Sequence, residues 1–357
     1  MTSKERFFAV LDHKSVDRLP VVPFIGNWAA HLAGYKLGEY HTDGKKMADA
    51  QLKAWRKHGL DEVNPQSDNY YIADAMGVKL RIQEDDTPAV IERPLKSLDD
   101  VPMLRVPDPY TEGRMPVYLE AVEILAREVG DEVIVRCPGT GPFSLAGHLL
   151  GVEEFIVQLA ITEMEDDEET RQKLHALMDV CTRSLIAFCE ACVKNGATLV
   201  MNGDSLASIN MTSPDIYRKY CFKYEKMFFD AMNVLKKDYK FATMLHVCGD
   251  NTLVADDMMK TGCDIIEIDY AVNLPKYKEL STKNNVCMLG NLNPAGNILF
   301  GTPQDVYDEA MGVLEIAAQD GFFMLGSGCE IAVRAKLENV QAMIRAAEDF
   351  AEKQKKQ

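Results

Sequence analysis

Basic charge is what this chain has least of for its size. Its 357 residues carry 39 lysines and arginines against 55 aspartates and glutamates, a formal net charge of −16. Nucleic-acid backbones and anionic membrane surfaces both recruit basic patches, so neither is an expected partner. Long apolar runs are absent as well, none approaching the roughly 20 residues that cross a bilayer. The start, Met1-Thr2-Ser3-Lys4-Glu5-Arg6, leads into a short amphipathic segment and not into a secretory leader. No Gly-x-Gly-x-x-Gly closes a strand and opens a helix, which counts against a doubly wound, dinucleotide-binding sheet. There is no low-complexity stretch and no repeat beyond an alternation of strands and helices. The nine cysteines are odd in number and scattered, with Cys181, Cys189, Cys192 and Cys221 in helix-like surroundings. That usage fits free or metal-bound thiols in a reducing compartment, so a cytoplasmic protein is expected.

What is present is a sizeable core, since 47% of the residues are hydrophobic and 26% charged, the balance of a globular chain. Lys4 to Leu11 reads as a short helix, and Leu19 to Ile25 as a first strand ending in Gly26-Asn27-Trp28. Lys45 to His58 has helical spacing and stops at Gly59. Glu62 to Pro65 is a second strand that delivers Gln66-Ser67-Asp68. Residues 78–93 alternate like a hairpin, and the Pro-rich run to Pro116 is an irregular excursion (78–116). A helix from Pro116 to Val129 precedes a third strand, Val133-Ile134-Val135, which leads to a short helical turn around Leu145 to Leu150. The acidic run Glu163 to Glu169 opens a long helix to about Lys194, its charge suited to a helix N-terminus. Strands at Thr198–Met201, Phe241–Leu245, Asp264–Ile266, Val286–Leu289 and Phe322–Leu325 follow. Between them, Ser213-Pro214 starts a helix to about Lys237, Val254 to Lys260 is helical, and Thr302-Pro303 opens another. Leu337 to Phe350 is the last helix, with a frayed Lys-rich tail. About eight apolar strands, nearly all ending in polar or Gly-rich residues, are the pattern of a (β/α)8 TIM barrel with its site at the carboxyl face.

His246 and Cys248 close the fifth of these strands, and residues i and i+2 of a strand face the same side. Cys329 follows the eighth. In a barrel both strand ends point at the central mouth, so one imidazole and two thiols can converge on one ion. Zn²⁺ favours such ligands, and three of them leave a fourth position open, as a catalytic site requires. The alternative is a solvated histidine beside two unrelated buried thiols.

Leu289-Gly290-Asn291-Leu292-Asn293-Pro294, Gly141-Pro142-Phe143-Ser144-Leu145, Asp68 after the second strand and the order of elements together resemble the uroporphyrinogen decarboxylase superfamily over essentially residues 1–357, as one barrel domain. His246, Cys248 and Cys329 fall on the positions that mark its zinc-dependent, corrinoid-linked methyltransferase branch. The resemblance implies a methyl group moved between a corrinoid (methylcobalamin) on a separate protein and a small nucleophile, foremost a thiol on zinc. It leaves open methyl transfer from a methyl ether or methylamine to the corrinoid, decarboxylation, and a non-catalytic zinc-binding role. Decarboxylases carry an arginine-bearing loop after the first strand, where this chain reads Ile25-Gly26-Asn27-Trp28-Ala29-Ala30, and the tyrosine after the third strand appears as His148. An octa-anionic tetrapyrrole would meet no fixed counter-charge there. No Asp-x-His-x-x-Gly segment supplies a cobalt ligand, so the corrinoid is expected on a partner docked over the barrel mouth. Glu330 or Glu267 is a candidate fourth ligand. Asn27, Asp68, His148, Asp204 and Asp269 are candidate substrate-binding residues. For Asp68, Asp204 and Asp269, bonding to loop amides is the competing role.

Overall fold

The structure, a computed structural model, describes residues 1–356. Nine strands form: β1 Glu62–Val63, β2 Lys79–Arg81, β3 Ala89–Glu92, β4 Ile134–Cys137, β5 Leu199–Gly203, β6 Ala242–His246, β7 Ile265–Glu267, β8 Cys287–Leu292 and β9 Phe323–Ser327. Seven of them make one parallel sheet in the order β1-β4-β5-β6-β7-β8-β9. The other two, β2 and β3, pair antiparallel as a separate hairpin in the expected excursion.

The sheet curls and is closed by the segment at 20–22. Val22 N–H donates to Leu325 of β9 (2.7 Å), Leu325 N–H donates to Pro20 (2.9 Å), and Asp61 N–H donates to Val21 (3.1 Å). This expected first strand is reduced to a single bridge, Val21 to Leu325. Pro20 and Pro23 have no N–H, so neither can donate to a ladder and the pairing stays short. The buried Asp61 carboxylate compensates: it accepts from Val21 N–H (2.7 Å) and from the guanidinium groups of Arg6 (2.7 Å) and Arg18 (2.6 Å). With that seam closed, the chain is a (β/α)8 barrel.

Helices pack their apolar stripes on the outside of the barrel. Met115–Val129, for example, buries Tyr118, Leu119, Val122 and Leu125, each worth about 1.5–3 kcal/mol of transfer free energy. Several elements depart from the sequence-based expectation. Gly26–Ala33 is a helix, not a loop, with its first five residues buried and His31 exposed; at eight residues it is barely two turns, too short for an apolar period to stand out. Leu274–Asn284 is a helix that sparse apolar spacing hides, capped by Asn273 on Lys276 N–H. The acidic run is split: Val152–Glu165 ends at Asp166 in the left-handed region (φ 53°), and Glu168–Lys194 starts anew. The helix after Ser213 passes through a widened turn at Tyr217–Cys221 before Phe222–Leu235. The helix expected from Val254 is only Ala255–Met258, and the last helix continues to Lys355 without fraying at Phe350.

The barrel interior holds charge as well as apolar side chains. Arg136 of β4, wholly buried, donates to Glu62 of β1 (2.8 Å) and Glu267 of β7 (3.2 Å), both wholly buried. Burial pushes the Glu62 carboxyl up to about 7, and Glu267, in register with His246 of β6, is the carboxyl group that stands under the mouth on that side. No single helix among the described residues is long and apolar enough to cross a membrane.

Candidate metal centre

β6 ends at His246, in register with Gly203 of β5 and Glu267 of β7. Cys248 therefore lies beyond the strand, and the strand alternation that suggested its direction no longer applies. The turn at Gly249 (φ +84°) brings it back instead. A side chain there would be strained and would also press on Ser208 and Asn210. His246 Nε2 and Cys248 Sγ are 3.2 Å apart. Cys329 arrives from β9 through Gly328, where a Cβ would sit 2.4 Å from the Tyr270 backbone nitrogen. Only glycine lets the strand end pass that close, and it sets the Cys329 sulfur 3.8 Å from that of Cys248. The ligand atoms of His246, Cys248 and Cys329 all lie within 4.8 Å of one another.

The electrostatics of the cluster suit a cation. The Cys248 thiol is held well below its usual value, first by a hydrogen bond from Cys329 and then by the His246 imidazole. Ser205 Oγ lies 3.2 Å from the same sulfur and donates to it once it is ionised. Burial alone would lower His246, but Cys248, then Glu267 and Asp269, push it up to about 9. Binding a metal ion here needs both thiols ionised and the imidazole neutral, so it would release protons. Glu267 Oε2 is 3.2 Å from His246 Nδ1. The angle is too bent for a hydrogen bond, so both buried atoms lack one. A small rotation of the ring toward a shared ion would straighten the contact, the carboxylate–histidine arrangement that fixes a metal-ligating imidazole. The donor set and its surroundings fit a soft-to-borderline divalent ion. Among the described residues the cluster contains no carboxylate: Glu267 stands behind the imidazole, and Glu330 accepts from Asn27 N–H (2.7 Å).

Residues 2–350 match the family model for uroporphyrinogen decarboxylase. The chain belongs to the uroporphyrinogen decarboxylase family. Within that family it is 30% identical over 355 residues to a methylcobamide:CoM methyltransferase of Methanosarcina acetivorans and 31% identical to one of Methanosarcina mazei, covering 98% of each chain. A uroporphyrinogen decarboxylase of Coxiella burnetii is 25% identical over 368 residues, 99% of this chain and 96% of that one. The solved structure of a methyltransferase from Methanosarcina mazei superposes with a TM-score of 0.83 at 27% identity, over 98% of this chain and 99% of the other.

In this member of the uroporphyrinogen decarboxylase family a cavity of about 270 Å³ opens beside the cluster, with His246 and Cys329 in its wall. Asn27, Asp68, His148 and Glu330 line it too, whereas Asp204 and Asp269 do not. Asp204, wholly buried, accepts from the N–H groups of Phe143 (3.0 Å) and Ser144 (2.7 Å), capping Pro142–Leu150. Asp269 accepts from Gly249 (2.8 Å) and Ala271 (2.9 Å), bracing the loop that carries Cys248. For these two the loop-amide role is the one the geometry displays. Asp68 is saturated by a bidentate Arg114 (2.7 and 2.9 Å), Ser67, Tyr118 and Tyr70 N–H. Asn27 spends its side chain on Ser67 and His41. Sequence reasoning missed Ser205 and Arg136. Ser205 follows a strand end like many unimportant serines, while Arg136 carries a signal that could have been read, an arginine inside an otherwise apolar strand.

Proposed function

We propose that this protein moves a methyl group between a corrinoid carried by a separate protein and a small thiol, at a Zn²⁺ held by His246, Cys248 and Cys329. The single observation that carries this reading is the convergence of those three side chains within 4.8 Å at the carboxyl end of the barrel. Supporting it are relatives named as methylcobamide:CoM methyltransferases and a methylated-thiol–coenzyme M methyltransferase 28% identical over 311 residues, 87% of this chain and 78% of that one.

A free thiol with a pKa near ~8.5 is mostly protonated at neutral pH, and alkylation needs the thiolate. Bound Zn²⁺ would supply that deprotonation, and two cysteine ligands would leave more electron density on an added sulfur than three histidines would. The chain's own residues do the rest. Glu267 stands behind His246 and would hold the ring once it turned toward a bound ion. Ser205 steadies the Cys248 sulfur. Asp269 and Gly249 fix the loop that brings Cys248 back under the mouth. The cavity beside the cluster receives the body of the thiol, and the open mouth above is where a corrinoid protein would dock. Decarboxylation is the weaker reading, because no lysine or arginine lines the cavity and both terminal nitrogens of Arg114, behind Asp68, are bonded to that carboxylate. The nine free thiols suit a reducing compartment, and we place the protein in the cytoplasm.

The test is direct. Purified protein should contain about one zinc per chain, lost in Cys248→Ala and Cys329→Ala with the fold retained by circular dichroism. With methylcobalamin and a thiol it should form the S-methyl product, and both variants should not. A metal-free, inactive wild type would remove the proposal.

A further inference from the structure

The wall of the cavity contains two carboxyl groups, Asp68 and Glu330, and no lysine or arginine. Arg114 stands behind Asp68 with both terminal nitrogens bonded to it. His148 is the one titratable base in the wall besides the candidate ligand His246, and burial lowers it to about 4, so it is neutral at pH 7. The nearest other guanidinium, Arg93, is exposed beside Gly151 and does not line the cavity. An anion placed here would lose its hydration and find no cation in the wall to pair with, only the more distant charge of Arg93 that acts on His148.

We infer that the acceptor is a short thiol whose far end is a hydroxyl or an ammonium group, not a sulfonate or carboxylate. This rests on the methyl-transfer reading above and departs from the acceptor in the relatives' names, since coenzyme M is 2-mercaptoethanesulfonate. In the reaction the thiol sulfur forms a bond to the methyl carbon and the carbon–cobalt bond breaks. The electron pair stays on cobalt to give cob(I)alamin, and the thiol proton leaves to solvent.

The experiment compares four thiols of similar length with methylcobalamin and the zinc-loaded full chain: 2-mercaptoethanol, 2-aminoethanethiol, 2-mercaptoethanesulfonate and 3-mercaptopropionate. S-methyl products are followed by NMR, and thiol binding by calorimetry without the corrinoid. The first two should exceed the anionic pair by at least about tenfold in kcat/KM and bind more tightly. Thr87→Lys, which adds a cation at the exposed edge of the wall, should shift the ratio toward the sulfonate. A preference for 2-mercaptoethanesulfonate, or an unmoved ratio in Thr87→Lys, would overturn the inference and leave methyl transfer standing. Failure of every thiol to demethylate methylcobalamin would overturn both.

Discussion

The sulfurs of Cys248 and Cys329 lie 3.8 Å apart although 81 positions separate them in the chain. Two different loops hold them there, one turning at Gly249 and the other passing Tyr270 through Gly328. The spacing is set by backbone packing at the barrel mouth and not by the ligands themselves.

Gly328→Ala tests that statement without touching a ligand. The added Cβ would meet the Tyr270 backbone nitrogen at 2.4 Å, so the strand end carrying Cys329 must move. Zinc affinity, measured by competition with a chromophoric chelator, should fall by about tenfold or more while far-ultraviolet circular dichroism is unchanged. Unaltered affinity would mean that the close approach does not position Cys329.

Glu267→Gln removes the carboxylate behind His246 Nδ1 and one of the two partners of Arg136. Loss of a carboxylate that orients a metal-bound imidazole typically costs about 10–100-fold in affinity. The same chelator competition should show a drop in that range. Retained affinity with lowered stability would assign Glu267 to Arg136 alone.

Asp61 holds the thin seam of the barrel. Asp61→Ala leaves Arg6 with Asp17 alone, Arg18 with only the Leu19 carbonyl and Val21 N–H without an acceptor. Breaking a buried ion pair in this way costs about 3–5 kcal/mol. Urea unfolding should register a loss of that size, with Asp61→Asn less affected because an amide oxygen still accepts from Val21. An unchanged midpoint in Asp61→Ala would show that the seam is held by other contacts.

Glu225 gives the protein a pH-dependent stability. Burial first, then Asp204, pushes its carboxyl from 4.5 up to about 8. Between those values the native chain binds more protons than the unfolded one. The contribution is therefore complete below about pH 4.5 and is lost as pH rises through about 8. Glu225→Gln should be more stable than wild type at pH 9, by an amount on the order of a few kcal/mol, and nearly equal to it near pH 5. Parallel pH–stability curves for the two proteins would contradict this.

The alternation of apolar runs with helices was readable from residues because each run is short, continuous and followed by polar or glycine residues, as at Phe323–Ser327 before Cys329. The candidate ligands were readable for the same reason, since they stand where strands end. Short segments such as Gly26–Ala33, barely two helical turns long, offer too few residues for a periodic signal. Leu274–Asn284 is too polar to announce itself.

By itself, then, the sequence determined a parallel barrel and placed three soft ligands at the rim, since hydrophobic periodicity and strand ends are local properties of the chain. Only the tertiary structure decided that Cys248 reaches its neighbours by a turn beyond β6. It also decided that Asp204 and Asp269 serve backbone amides, and that the cavity wall is without an unpaired cation. Each of those outcomes depends on distances between segments far apart in the chain, and no local pattern encodes them.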